Sequence, residues 1–247
     1  MSQGIVSVEN DVSMIRNNNL LDNWYFKDPV NQREVSGTIN SKGYFIDRWI
    51  LSDGEVTLTD EGLILNGTIQ QKLEWAVGDR YIASALTTNG MIDAEYDNEN
   101  KIFTITASGE CLIAAKLEIS DYQTLAHQES DGSWMLNDSP PNKDTEETRC
   151  KRYYIHSLLV GGVGMADTSS SGHYYLNPNI HMRLQHPTFT YLGSCSMFAG
   201  KGWTAVPSTL NWHYADDQME AYLTGGAAQS TGVIGCCCIL LRFDAEL

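Results

Sequence analysis

From residue 44 to residue 119 the chain is cut by turn residues into short apolar stretches, and this constrains the fold more than any other feature. Segments 44–50, 55–59, 62–66, 68–75, 80–88, 91–96, 101–107 and 111–119 are rich in β-branched, aromatic and aliphatic residues. Leu63 and Leu65 alternate with other residues, as do Phe103, Ile105 and Ala107, so each set falls on one face of an extended strand. Between the segments stand Ser41-Lys42-Gly43, Asp60-Glu61-Gly62, Asn89-Gly90 and Asp97-Asn98-Glu99-Asn100, the residue types that tight turns require. Seven or eight short strands at this spacing predict an antiparallel sandwich or jelly roll.

The pattern breaks over 121–143, and Ser139-Pro140-Pro141-Asn142 marks a boundary. Asp144-Thr145-Glu146-Glu147 then has the spacing of a capping box and predicts a helix over 145–156, with Tyr153 and Tyr154 placed to reach both flanking units. From 157 onward the chain reads as β again. Segments 181–190 and 232–243 are the clearest strands, and the second, GVIGCCCILLRF, is so continuously apolar that burial on both faces is expected.

Charge divides the chain as sharply as pattern does. Of 247 residues, 31 are acidic and 16 basic, for a net charge of −15. Such a surface repels a phosphate backbone, which argues against nucleic acid as a partner. Residues 1–150 hold 25 acidic and 11 basic groups, whereas residues 151–247 hold 6 and 5. A nearly neutral second half can pack against copies of itself with little repulsion. No run of about 18 apolar residues predicts a membrane-spanning helix. The opening MSQGIVSVEND has neither the basic nor the apolar part of a signal peptide. None of the six cysteines, Cys111, Cys150, Cys195, Cys236, Cys237 and Cys238, shows C-x-x-C spacing, so all are expected as free thiols, with 236–238 serving as small buried apolar residues.

No catalytic signature emerges. Gly161-Gly162-Val163-Gly164 lacks the ending of a phosphate loop and the spacing of a dinucleotide site. His173, His181, His186 and His213 are not spaced as ligands on one strand face, and no metal or cofactor is called for. Ser194-Cys195-Ser196 offers a nucleophile without an arranged base. Asp47, inside the aromatic segment YFIDRW, reads as a buried hydrogen-bonding group rather than an acid catalyst. Trp24, Tyr25, Phe26, Tyr44, Phe45 and Trp49 read as core. In the second half, Trp203, Trp212 and Tyr214, with Asn211 and Asp216 near by, lie in contexts that read as loops. Aromatic faces flanked by amide and carboxylate groups suit a sugar ring, which makes these five the candidate ligand-binding residues; packing of the same rings in the core is the competing reading.

Several segments are familiar in their order. Asn19-Leu20-Leu21-Asp22-Asn23-Trp24-Tyr25-Phe26, then Pro29-Val30-Asn31-Gln32-Arg33, then Gly43-Tyr44-Phe45-Ile46-Asp47-Arg48-Trp49 resemble the opening of tail-fibre and receptor-binding-type virion proteins of phages and prophages of gut Firmicutes. Glu34 stands where that pattern usually has Gly. Lys116–Ile119, Gln123–His127, Trp134–Asn137 and the run from Glu146 to Tyr154 resemble the end of the same module and its helical junction, and the Phe243–Leu247 ending is also similar. The resemblance implies an all-β chain: an N-terminal arm over 1–16, a jelly-roll, carbohydrate-binding-like domain over 17–142, a linking helix over 143–156 and a β-sandwich head for oligomerisation over 157–247. It further implies a non-enzymatic virion appendage, made in the bacterial cytoplasm, homotrimeric, joined to other virion proteins and binding host cell-surface polysaccharide. A purely structural capsid decoration, head fibre or baseplate protein is the alternative, and a polysaccharide-degrading enzyme a third reading.

Overall fold

The computed structural model describes the backbone of residues 19–75, 77–168, 171–176, 182, 187–192, 195–198, 202–213, 218–224 and 234–246. It describes side chains over 19–75, 77–160, 182, 187–192 and 240–246. The expected arm over 1–16 lies outside the described residues. The chain is all-β with one short helix among the described residues, and it divides into two compact units, Met1–Cys150 and Lys151–Glu246.

In the first unit, β1 (Thr38–Ile39), β2 (Gly43–Ile46), β3 (Trp49–Thr59), β4 (Gly62–Lys72), β5 (Ile82–Thr87), β6 (Gly90–Asp93), β7 (Glu95–Asp97) and β8 (Ile102–Glu118) form one antiparallel sheet. Its order is β1-β3-β4-β8-β5-β6, with β2 also on β3 and β7 on β8. The 17-residue β8 is its spine. One edge of β8 pairs with β4 as far as Leu112, and beyond that the same edge takes residues 20–26 through Phe26 N to Ile113 O, Ala115 N to Trp24 O and Leu20 N to Leu117 O. The other edge carries β7 and then β5. A single strand thus serves both halves of the unit. Leu21, Trp24, Phe26, Phe45, Trp49, Phe103 and their neighbours fill one core drawn from residues 21–126.

The eight expected strands correspond to fewer, longer ones. Segments 62–66 and 68–75 fuse in β4, and 101–107 and 111–119 fuse in β8, because glycines that read as breaks lie within strands. Opposite β4, Leu65 faces Glu110 and Asn66 faces Ser108, so Gly109 is an extra residue that shifts the buried alternation from Phe103 and Ile105 to Leu112 and Ala114. Gly54 and Gly67 are direct partners, and a Cβ on Gly67 would lie 2.2 Å from Asp53 O and 2.7 Å from Gly54 Cα. Conversely, 44–50 is not one strand: Asp47 and Arg48 form the tight turn between β2 and β3, Arg48 at φ 72°. A small hairpin, β9 (Ala126–Gln128) with β10 (Trp134–Leu136), occupies part of the stretch where the alternation fails.

The helix, α1 (Lys143–Cys150), is shorter than expected and is capped two residues earlier. Asn142 Oδ1 accepts from Thr145 N, so Asn142 and not Asp144 is the cap. It ends because Tyr154 already enters a strand, which places Tyr153 and Tyr154, both buried, outside it.

The second unit contains β11 (Tyr154–Thr168), β12 (Ser171–Leu176), β13 (Thr188–Tyr191), β14 (Cys195–Phe198), β15 (Gly202–His213), β16 (Gln218–Thr224) and β17 (Ile234–Asp244), all antiparallel. The hydrogen-bonded order β11-β12-β16-β15-β14-β17 returns to β11, a closed ring of six strands with β13 added along β17. Closure of this kind removes sheet edges, and it corrects the expectation of two facing sheets. The expected strand over 181–190 is described only as β13. The 232–243 strand is central, as its apolar run suggested, but at its described end Leu241, Phe243 and Ala245 are buried while Leu240, Arg242 and Asp244 are half-buried. Burial on both faces is not found there, since a closed ring has one inner face.

Candidate functional site

The motif residues of the first unit meet in one buried network. Asn23 is its hub. Its side chain accepts from Val30 N and donates to Val30 O and Asp47 O; its backbone donates to Glu146 Oε1 at 2.7 Å and accepts from Trp49 Nε1 at 2.9 Å. Arg48, 1% exposed, donates to Asp22 Oδ2 and Lys72 O, and Arg149 pairs with Asp22 Oδ1 at 2.7 Å. Asp47 is fully buried and accepts from both Gln32 N and Gln32 Nε2, the structural role expected of it. Gln71 bonds both backbone groups of Asp22. Burial is the main influence on Glu146 and raises its carboxyl above the usual range, opposed by Asn23 N and Arg149. Buried polar groups must be satisfied, and this network satisfies them while fixing α1 to the sheet. These residues therefore build the module rather than act on a ligand.

Chemistry that faces outward lies elsewhere, in an open cleft of about 370 Å³ on the first unit. Its lining includes Tyr25, Lys27, Leu86, Trp134, Met135 and Asp138. The sheet sets the floor: Tyr25 bridges Ala114, which pairs with Leu86, so the three lie in one row across adjacent strands. Residues 134–140 make the wall, and Trp134 in β10 lies so close to Gly90 that a Cβ there would meet Nε1 at 2.9 Å. Tyr25, expected in the core with Trp24 and Phe26, is half-buried instead: it packs at the rim of the core, its ring edge-on to Trp24 at 6.0 Å, and also lines the cleft. Lys27 also lines a second cleft of about 340 Å³ with Phe26, Pro29 and Lys143.

Two polar clusters support the wall. Lys116, fully buried, reaches Asp138 Oδ2 at 2.7 Å and Thr124 Oγ1 at 2.8 Å, with Glu118 Oε2 at 3.7 Å. Outside, His127 bonds Asn137 Oδ1 through Nδ1 and Glu129 Oε1 through Nε2 at 3.0 Å. Asn137 Nδ2 donates to Thr124 O, which fixes its oxygen toward the ring. Both imidazole nitrogens therefore donate, and the Asn137 and Glu129 bonds raise the His127 pKa above the ordinary value.

The residues singled out from the sequence as ligand-binding fall differently. Trp203, Asn211 and Trp212 belong to β15, a strand and not a loop. Trp203 pairs with Met197 at one end, and Asn211 and Trp212 pair with Glu220 and Met219 at the other. Nine residues of extended chain, about 30 Å, separate the two tryptophans along β15. Tyr214 and Asp216 lie outside the described residues. Tyr25, Trp134, Lys116 and Asp138 escaped sequence reasoning; the one signal was the turn Asp131-Gly132-Ser133 ahead of Trp134. Cys111 and Cys150 are free thiols, and burial pushes both pKa values up, that of Cys150 far up. The side chains of Cys195 and Cys236–Cys238 are outside the description. Among the described residues no group of three or more His, Cys, Asp and Glu is arranged to hold a metal ion, and no helix is long and apolar enough to cross a membrane.

No protein-family model, curated protein or solved structure matches the chain.

Proposed function

We propose that the chain is a virion appendage protein, a tail fibre, spike or receptor-binding protein, whose first unit is a jelly-roll-type module that holds host-surface polysaccharide in the Tyr25–Trp134 cleft. The cleft carries this reading. Two aromatic residues from separate segments line one open depression beside Lys27 and Asp138. Apolar ring faces with a few polar groups are what a sugar's alternating CH and OH surface requires. Hydrolysis would need two carboxylates flanking the bond. Asp138 is the one carboxylate in the lining and is held by Lys116, which favours binding over cleavage. The motif resemblance of residues 19–49 supports the virion assignment, and the weakly charged second unit supports self-association as a homotrimer.

The test is adsorption to host cells and retention on purified host cell-wall polysaccharide. Replacing Tyr25 and Trp134 by Ala is expected to weaken retention on the order of tenfold or more, about 1.4 kcal/mol, in a variant that melts at a lower temperature but still cooperatively, because both rings also pack against the core. A folded double variant that adsorbs like the wild type removes the cleft from consideration. A wild-type chain that binds neither cells nor polysaccharide replaces the receptor-binding reading by the purely structural one.

A further inference from the structure

Lys116, Asp138, Glu118 and Thr124 form a cluster that hairpin packing alone does not require. Lys116 and Glu118 are two residues apart on β8 and so share a face; Thr124 comes from the connection to β9 and Asp138 from the segment after β10. The side chains of Lys116, Asp138 and Glu118 are 1%, 5% and 5% exposed. One ammonium facing two carboxylates keeps a net negative charge out of water, and each buried ion carries a desolvation penalty. Across the β5–β8 pairing, Ser84 adds a buried hydroxyl with no partner, an unfilled hydrogen-bonding position on the same face.

The geometry points to a covalent outcome: an intramolecular amide bond between Lys116 Nζ and Asp138 Cγ, formed with Glu118 as proton carrier. An amine 2.7 Å from a carboxylate oxygen is about 3.5 Å from its carbon, within near-attack range. Thr124 Oγ1 accepts from Lys116 Nζ and donates to Glu118 Oε2, so a continuous relay runs from amine to carboxylate. One ammonium proton passes directly to Asp138 Oδ2, leaving a neutral amine beside a neutral carboxylic acid, and the nitrogen lone pair adds to Asp138 Cγ. The second nitrogen proton passes along the relay to Glu118 and is returned to the departing hydroxyl, which leaves as water. One C–N bond forms, one C–O bond breaks, one water leaves, and Glu118 ends as the carboxylate it began as. No electrons change hands and no co-reactant is consumed. The step removes two of three buried charges, and Asp138 lines the open cleft, which gives the water an exit. The bond ties β8 to the wall of the cleft across 22 residues without a disulfide. It stands independently of what the cleft binds.

The experiment is the denatured intact mass of the full chain, followed by peptide mapping. The wild type is expected to be lighter than its sequence by one water, with a branched peptide joining Lys116 to Asp138. Asp138→Ala is expected to have its full sequence mass, and Glu118→Gln to keep the unbridged mass or to lose the water far more slowly. A wild type of full sequence mass, with Lys116 open to acylation after unfolding, overturns the proposal whether or not the variants fold. So does water loss mapped instead to cyclic imides at Asp53-Gly54 or Asp131-Gly132.

Discussion

Glu34 is the residue at which the chain departs from the pattern it resembles, and it is also one of four non-glycine residues with positive φ among the described residues, at 56°. The other three are Asn23, Arg48 and Lys101, and the first two are anchored in the buried network. Glu34 is exposed, in a turn where its N–H bonds Asn31 O. The left-handed region costs an L-residue roughly 1–2 kcal/mol, while a glycine there costs roughly 0.5–1 kcal/mol in chain freedom on folding. Glu34→Gly is therefore expected to stabilise the first unit by about 0.5–1 kcal/mol, read as a raised denaturant midpoint at unchanged slope. A lowered midpoint would show that contacts of the Glu34 side chain outweigh the backbone term. Part of the network was legible at this scale: Asp47 read correctly as structural, whereas its partners Asn23 and Gln32, and Glu146 beyond them, were not identified as such. Tyr25 was not legible, because a half-buried tyrosine between two core aromatics has the same local pattern as a buried one.

At the scale of elements, the turn chemistry located the hairpins and the glycines misled. Asp60-Glu61-Gly62 and Asn89-Gly90 do fall at strand junctions, whereas Gly54, Gly67 and Gly109 lie inside strands where chains approach closely or a bulge inserts. Sequence spacing does not separate these uses, since both need a residue without a side chain. The β9–β10 hairpin shows what so short an element depends on: three residue pairs, the Lys116–Asp138 tie beneath and His127 above. With its folded pKa raised, protonated His127 contributes fully below the unfolded value, and the contribution is lost as pH rises through the folded one. Because the ring is exposed the effect is local and salt-screened. Intrinsic-rate-corrected hydrogen-exchange protection of 126–128 and 134–136 is expected to fall with the NMR titration of the ring, at a midpoint above 6.5. A midpoint at or below that value, or protection that ignores it, removes His127 from the hairpin's support.

At the scale of the whole molecule, the two units differ in charge and in how their sheets end. The first keeps its entire core within residues 21–126, and its helix is fixed by Asn23, Asp22 and Arg149 from the same unit. A unit of that size, about 130 described residues, is sufficient for independent folding. Its net charge, 25 acidic against 11 basic groups, opposes packing against its own copies. The second unit carries 6 acidic and 5 basic groups, so association costs it little electrostatically. If the proposed homotrimer forms, the charge argument places its contacts in the second unit, with a stable interface expected to bury well over about 1,000 Å². A chain ending at Cys150 is expected to melt cooperatively and to sediment as a monomer at micromolar concentration, while the full chain sediments as a trimer. Should the truncated chain itself be trimeric, the acidic unit holds the interface and the charge argument fails. Should the full chain sediment as a monomer, the trimer is lost and the cleft must act as a single weak site, without the gain in avidity that three linked copies bring.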